Sequence, residues 1–212
     1  MARWRAIIFS DECSVEIGKG KRKRWCFRLN YQGEKWKKEN ISPYKKRQRN
    51  LCMVWGAIWG SSCSDITFLE RDPTSKRNGY SGRSYLTILE QALPTIWETG
   101  LRFMQDNAPI HASPLAKNWL SDNAIPVLEW PPYSPDLNPI EHAWARLKET
   151  VNALDPGLEE YGGGEEALKE RLASLLEQAW LEISQDYFNK LVESMPRRID
   201  AVIAAGSSYT KY

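Results

Sequence analysis

The sequence predicts a mixed α/β domain, and three observations lead there. Short apolar runs rich in aromatic and β-branched residues occupy the first half, and one more surrounds Phe103. Apolar residues recur at helical spacing between those runs and again towards the C-terminus. At 212 residues the chain is long enough for one sizeable core and short for two full domains. With 42% hydrophobic and 26% charged residues it has the balance of a globular protein, which argues against disorder. No apolar run approaches the roughly 18 residues that a bilayer span needs, so no membrane partner is expected. Met1-Ala2-Arg3-Trp4-Arg5 leads into too short an apolar stretch for a secretory signal.

In chain order, Arg5 to Phe9 reads as a buried strand with Ser10-Asp11-Glu12 at its exit. Arg24-Trp25-Cys26-Phe27-Arg28 reads as a second strand, followed by a polar, basic loop or exposed hairpin up to Asn50. Leu51 to Trp59 and Ile66 to Leu69 are expected to pair as antiparallel strands across Gly60-Ser61-Ser62. Tyr85, Leu89, Leu93 and Ile96 mark a helix that Gly100 is expected to stop. Leu101 to Gln105 then forms a strand with Asp106 at its exit, followed by a helix near Ser113 to Asp122 and a short strand at Val127-Leu128. Pro131, Pro132, Pro135 and Pro139 exclude regular structure between Trp130 and Pro139. A helix is expected to start at Pro139, with Asn138 as N-cap and Glu141 as its third residue. Gly162-Gly163-Gly164 is a break. Leu168, Leu172, Leu175, Leu176, Ala179 and Ile183 then define an amphipathic helix. Phe188, Leu191, Val192 and Met195 define another, and Pro196 opens the last. The expected organisation is a catalytic core over 1–160 and a C-terminal helical extension over 161–212 packed on the same domain.

Charge is distributed unevenly. Lys19 to Arg49 holds 13 Lys/Arg against two acids, Glu34 and Glu39, a net +11, whereas the remainder carries 16 basic and 25 acidic residues. Such asymmetry suits a polyanion-binding surface, with Lys21, Arg22, Lys23, Arg24, Lys45, Lys46 and Arg47 as its phosphate contacts; a solvated loop explains the same run equally well. Trp25, Trp36 and Tyr44 lie among these residues and suit base stacking or a small core. Cys13, Cys26, Cys52 and Cys63 have no zinc-type spacing, so buried or free thiols in a reducing compartment are expected.

Asp11 and Asp106 at strand ends, with Glu141 in a first helical turn, form the candidate catalytic set. Three carboxylates converging at a sheet edge repel one another unless cations neutralise them, and oxygen donors of this kind suit Mg²⁺ or Mn²⁺. Two such ions about 4 Å apart activate an attacking oxygen and stabilise the leaving oxygen of a phosphodiester. Beside the basic segment, the matching substrate is nucleic acid. Each acid also has a plain structural reading: Glu141 closes a capping box with Asn138, and either aspartate serves a turn. Glu12 competes with Asp11 for the ligand role, although on a strand it points the other way.

Phe9-Ser10-Asp11-Glu12, Gln105-Asp106-Asn107-Ala108-Pro109-Ile110-His111 and the stretch from Trp130-Pro131-Pro132-Tyr133 through Asn138-Pro139-Ile140-Glu141 resemble the three catalytic blocks of mariner-superfamily transposases. The 34 residues between Asp106 and Glu141 resemble the Asp-Asp-34-Glu branch. Val54-Trp55-Gly56-Ala57 and Ser194-Met195-Pro196-Arg197-Arg198 are similar to it too, and Phe68-Leu69-Glu70-Arg71-Asp72 resembles fungal members most. The resemblance implies an RNase H-like mixed sheet flanked by helices, with extra C-terminal helices. It also implies Asp11, Asp106 and Glu141 as ligands of two Mg²⁺ or Mn²⁺ ions. The implied reaction is hydrolysis at transposon ends, then strand transfer of the freed 3′-OH into target DNA, commonly at a TA dinucleotide.

Double-stranded DNA is the implied partner, a homodimer the implied assembly and the nucleus the implied location; no small-molecule substrate is expected. The run from Lys19 to Arg24 suits an import signal. Asn107 and His111 are supporting candidates for orienting a bound water or phosphate, and Asn138 for fixing the helix start. Family members carry an N-terminal helix-turn-helix region that reads transposon ends. Here the first aspartate is the eleventh residue, so the chain reads as an isolated catalytic domain or a truncated copy with weak sequence-specific binding. Two alternatives stay open: a degenerate or domesticated remnant that binds DNA without catalysis, and an RNase H-type nuclease acting on RNA–DNA hybrids.

Overall fold

The computed structural model describes residues 2–16, 50–60, 62–76, 78–132, 134–158, 161–206 and 210. The strand expected at Arg24–Arg28 and the basic residues Lys21 to Arg24 and Lys45 to Arg47 lie outside them. Five strands form one sheet: β1 (Ile7–Glu16), β2 (Asn50–Trp59), β3 (Ser62–Cys63), β4 (Thr67–Phe68) and β5 (Arg102–Met104). Their order is β3-β2-β1-β5, with β4 on the same edge of β2 as β3. β1 runs antiparallel to β2 and parallel to β5, so the sheet is mixed. The pairing expected between Leu51–Trp59 and Ile66–Leu69 is present as Val54↔Phe68 and Trp55↔Thr67.

Strand alternation sorts the core into two layers. Ile7, Phe9, Cys13 and Val15 of β1 face one way and pack with α4 (Ile140–Leu154), α5 (Glu165–Glu182) and α6 (Gln185–Glu193). Ile8 faces the other way and packs with α2 (Gly82–Ile96) and α3 (Pro114–Asp122) through Tyr85, Leu89, Leu93, Ala116 and Leu120. On the first side Trp144 of α4 stacks on Trp180 of α5, with ring centroids 5.3 Å apart, and Trp180 meets Phe188 of α6 at 5.0 Å. The C-terminal helices thus bury their apolar stripes in the same core as the strands. The remaining helices are α1 (Ala2–Arg5) and α7 (Met195–Ala205), the latter opened by Pro196 as expected. Among the described residues, no helix is long and apolar enough to cross a membrane.

Several boundaries differ from the sequence reading, each for a physical reason. β1 does not end at Phe9: its ladder with β2 continues from Phe9↔Ile58 to Glu16↔Asn50, so Asp11 lies in mid-strand opposite Gly56. β5 ends at Met104, the partner of Phe9, and Asp106 lies two residues beyond it. α2 stops at Ile96 because Trp97 turns extended; Gly100, at φ +98°, instead makes the turn into β5, a conformation that suits glycine. Val127 makes only an isolated bridge to Phe103. The proline-rich stretch is not wholly irregular, since Pro135–Leu137 forms a 3₁₀ turn whose first position accepts proline's fixed φ. α4 begins at Ile140, one residue later than expected, with Pro139 and not Asn138 at the N-cap position, which makes Glu141 its second residue.

Candidate active site

The site lies where β5 leaves the sheet and β1 continues. Beyond the Phe9↔Met104 pair, β1 has no partner strand on that side among the described residues, and a cavity of about 400 Å³ opens there. Asp11, Asp106 and Glu141 all line it, together with Asn107, Asn138 and a wall of Trp130, Pro131, Pro132 and Pro135. The acids come from three elements that are remote in sequence: mid-β1, the loop after β5 and the first turn of α4. The wall is anchored from beneath, where the Trp130 indole meets the Phe9 ring edge-on with centroids 6.2 Å apart.

Local chemistry explains each placement. Asp11 is an odd-numbered β1 residue and faces the α4 side, within hydrogen-bonding reach of Glu141. Its Oδ1 accepts the Glu12 N–H at 2.8 Å. Asn138 is buried: its Nδ2 donates to the Ser10 carbonyl at 3.3 Å and its Oδ1 accepts the Ile140 N–H at 3.4 Å, which staples the start of α4 to β1 beside Asp11. Ser10 Oγ donates to the Met104 carbonyl at 2.8 Å and ties β1 to the end of β5. Asn107 gives its Nδ2–H to the Trp130 carbonyl at 2.8 Å, so its amide joins the second block to the wall.

Electrostatics divides the acids. Burial pushes the Asp11 carboxyl well above the ordinary carboxylate range, and the charges of Glu12, Glu141 and Asp106 push it further, against the pull of the Glu12 N–H. Burial also raises Glu141, opposed by its hydrogen bond with Asp11 and by the Lys148 ammonium two turns along α4. Asp106 goes the other way: its hydrogen bond with His111 holds it below the ordinary value, reinforced by the Ala108 N–H against partial burial. His111 is pulled down by burial, but bonds to Asp106 and Glu12 outweigh this and push it up to about 10.

Sequence reasoning placed Glu12 on the opposite strand face, where the structure has it, but missed its partner. His111 Nε2 lies 3.1 Å from both Glu12 carboxylate oxygens, and its Nδ1 lies 2.6 Å from Asp106 Oδ1. The signal was the histidine five residues after Asp106, combined with strand alternation at Glu12. Among the described residues, no three Asp, Glu, His or Cys side chains close tightly enough to enclose an ion as they stand. The donor set nevertheless fits a hard divalent cation: three carboxylates line one cavity, and burial and neighbouring like charges both work against ionisation of Asp11.

Residues 6–156 match the family described as DDE superfamily endonuclease. The transposable element Tc1 transposase of Caenorhabditis elegans is 31% identical over 209 residues, covering 99% of this chain and 71% of that protein. Among solved structures, the Mos1 strand transfer complex aligns with a TM-score of 0.64 at 20% identity, over 99% of this chain. The chain spans only 57% of the Mos1 chain in that complex. The Mos1 mariner transposase catalytic domain alone aligns at 0.56 and 16% identity, over 98% of this chain and 85% of that domain. At such identities these structures establish the fold, which is the RNase H-like mixed sheet with flanking helices expected from the sequence. The chain belongs to the DDE superfamily endonucleases and is a DDE transposase catalytic domain homologous to the Tc1/mariner transposases.

Proposed function

We propose that this chain cleaves DNA at transposon ends and joins the freed 3′-OH to target DNA, using two Mg²⁺ or Mn²⁺ ions held by Asp11, Asp106 and Glu141. The observation that carries this reading is the convergence of those acids, from three separated elements, on one cavity where Asp11 is electrostatically unsatisfied. A Mos1 paired end complex described with Mn supports the choice of cation for a protein of the same fold. When bound, such ions activate the attacking oxygen and stabilise the leaving oxygen of an in-line displacement. The chain's own work is positional. Asn138 fixes Glu141 against β1, the Ala108 N–H orients Asp106, and the Trp130 and proline wall limits how the DNA strand approaches the acids.

The same reading makes double-stranded DNA the partner, a homodimer the working form and the nucleus the location, with Lys21 to Arg24 and Lys45 to Arg47 as phosphate contacts. It is tested by Mn²⁺-dependent nicking of supercoiled plasmid. The parent is expected to nick, and Asp11→Asn, Asp106→Asn and Glu141→Gln to fall to background while remaining folded by circular dichroism. Equal nicking by parent and variants would overturn the assignment. DNA binding without cleavage under either metal would replace it with a non-catalytic DNA-binding remnant.

A further inference from the structure

We propose that Glu12 and His111 are positioning residues for Asp106: they tie back one oxygen of its carboxylate so that the other is presented to the cavity. This rests on the metal-ligand reading above and assigns a role to two residues that the reaction itself does not require.

Asp106 sits on a loop and its side chain is 53% exposed, so nothing in its own packing fixes it. The restraint comes from behind. Asp106 Oδ1 lies 2.6 Å from His111 Nδ1, which also lies 3.1 Å from the Asp106 carbonyl oxygen, and it accepts the Ala108 N–H at 2.8 Å, whereas among the described residues Oδ2 has no donor. His111 is only 2% exposed and sits behind Asp106, not among the residues that line the cavity of the three acids. Its Nε2 meets both Glu12 oxygens at 3.1 Å, and the Tyr85 ring packs on the imidazole with centroids 4.2 Å apart. Tyr85 is itself fully buried and donates its hydroxyl to Gln105 Oε1 at 2.7 Å, next to Asp106. Tyr85 and Glu12 therefore hold His111 from two sides, and His111 in turn meets the exposed acid.

Strand alternation is what makes this possible. Asp11 and Glu12 are neighbours on β1, and one faces α4 while the other faces the α2 and α3 layer. One dipeptide thus supplies an acid to the cavity and, through His111, the anchor for the second acid. Partners outside a metal's immediate ligands orient those ligands, and their loss commonly weakens metal binding about 10–100-fold.

The test is Mn²⁺ binding to the intact chain, with free Mn²⁺ followed by its electron paramagnetic resonance signal and Mn²⁺ as the only probe. His111→Ala is expected to weaken binding about tenfold or more. His111→Asn, which returns an N–H near the position of Nδ1, is expected to recover part of that loss, and Glu12→Gln to fall between it and the parent. The partial rescue is the result that a purely structural role for His111 would not produce. Thermal melts of all variants identify any that fail to fold, and Glu12→Gln, the mildest change, keeps the test decisive if His111→Ala does so. Parent-like binding by Glu12→Gln, together with parent-like binding by every His111 variant that folds, would overturn the inference alone. A folded parent that binds no Mn²⁺, or an Asp106→Asn variant that binds as the parent does, would overturn the metal-ligand reading and this inference with it.

Discussion

The two faces of β1 hold acids under opposite conditions. On the α4 face, Asp11 meets Glu141, so burial and like charge both work against ionisation. On the α2 and α3 face, Glu12 meets His111, which in turn meets Asp106, and there the charges compensate. The strand supplies the same chemical group to both sides within one dipeptide, and only the neighbours differ. An acid whose repulsion is left standing is costly to fold, which marks a place where a ligand is expected to complete the charge balance. Glu12, compensated by the buried imidazole and outside the cavity, serves as a support.

The comparison is broken most severely by removing charge from the uncompensated face. Asp11→Asn is expected to abolish metal-dependent nicking and yet to stabilise the metal-free protein, by about 1 kcal/mol or a rise of about 2–4 °C in Tm. Thermal melts in chelator beside a plasmid assay check both halves, and a fall in Tm would show that Asp11 is not under repulsion. Packing on the same face is tested at Gly56, the cross-strand partner of Asp11. A Cβ there would lie 2.9 Å from Trp144 Cη2, a ring atom of α4 with no flexible end to retreat. Gly56→Ala is therefore expected to cost about 1–3 kcal/mol through overpacking, read as a lower denaturant midpoint. It is also expected to reduce nicking, because α4 carries Glu141.

The smallest effect concerns an acid remote from both faces. The Ser81 and Thr74 hydroxyls, with the Thr74 N–H, hold Asp72 at about 2, below its ordinary 3.8. A depressed folded value means that these bonds stabilise the protein fully above the ordinary value and lose that effect as pH falls through about 2. The Tm difference between parent and Asp72→Asn is expected to be present at neutral pH and to shrink on acidification through this window. A difference that stayed constant down to the lowest pH at which the fold persists would deny Asp72 this role.

Much of the fold was legible because local periodicity carries it. The apolar run of β2, the helical spacing of Tyr85, Leu89 and Leu93 and that of Leu172, Leu176 and Ala179 each state which face is buried. The exits of β1 and β5 were harder. A strand end depends on whether a partner continues alongside, and β2 continues past Phe9 whereas β5 does not. The start of α4 was displaced by one residue for a similar reason, since Asn138 is engaged with Ser10 as well as with the helix.

By itself the sequence determined that the chain is a mixed α/β domain, and through its three blocks which acids belong together. Only the tertiary structure decided how they meet. The parallel pairing of β1 with β5 brings Asp106 beside Asp11, the Asn138 to Ser10 bond spans 128 residues, and the His111 to Glu12 contact spans 99. Strand and helix periods record which way each side chain points. They cannot record what will stand opposite, because that is set when separate elements bury their apolar faces against the same sheet.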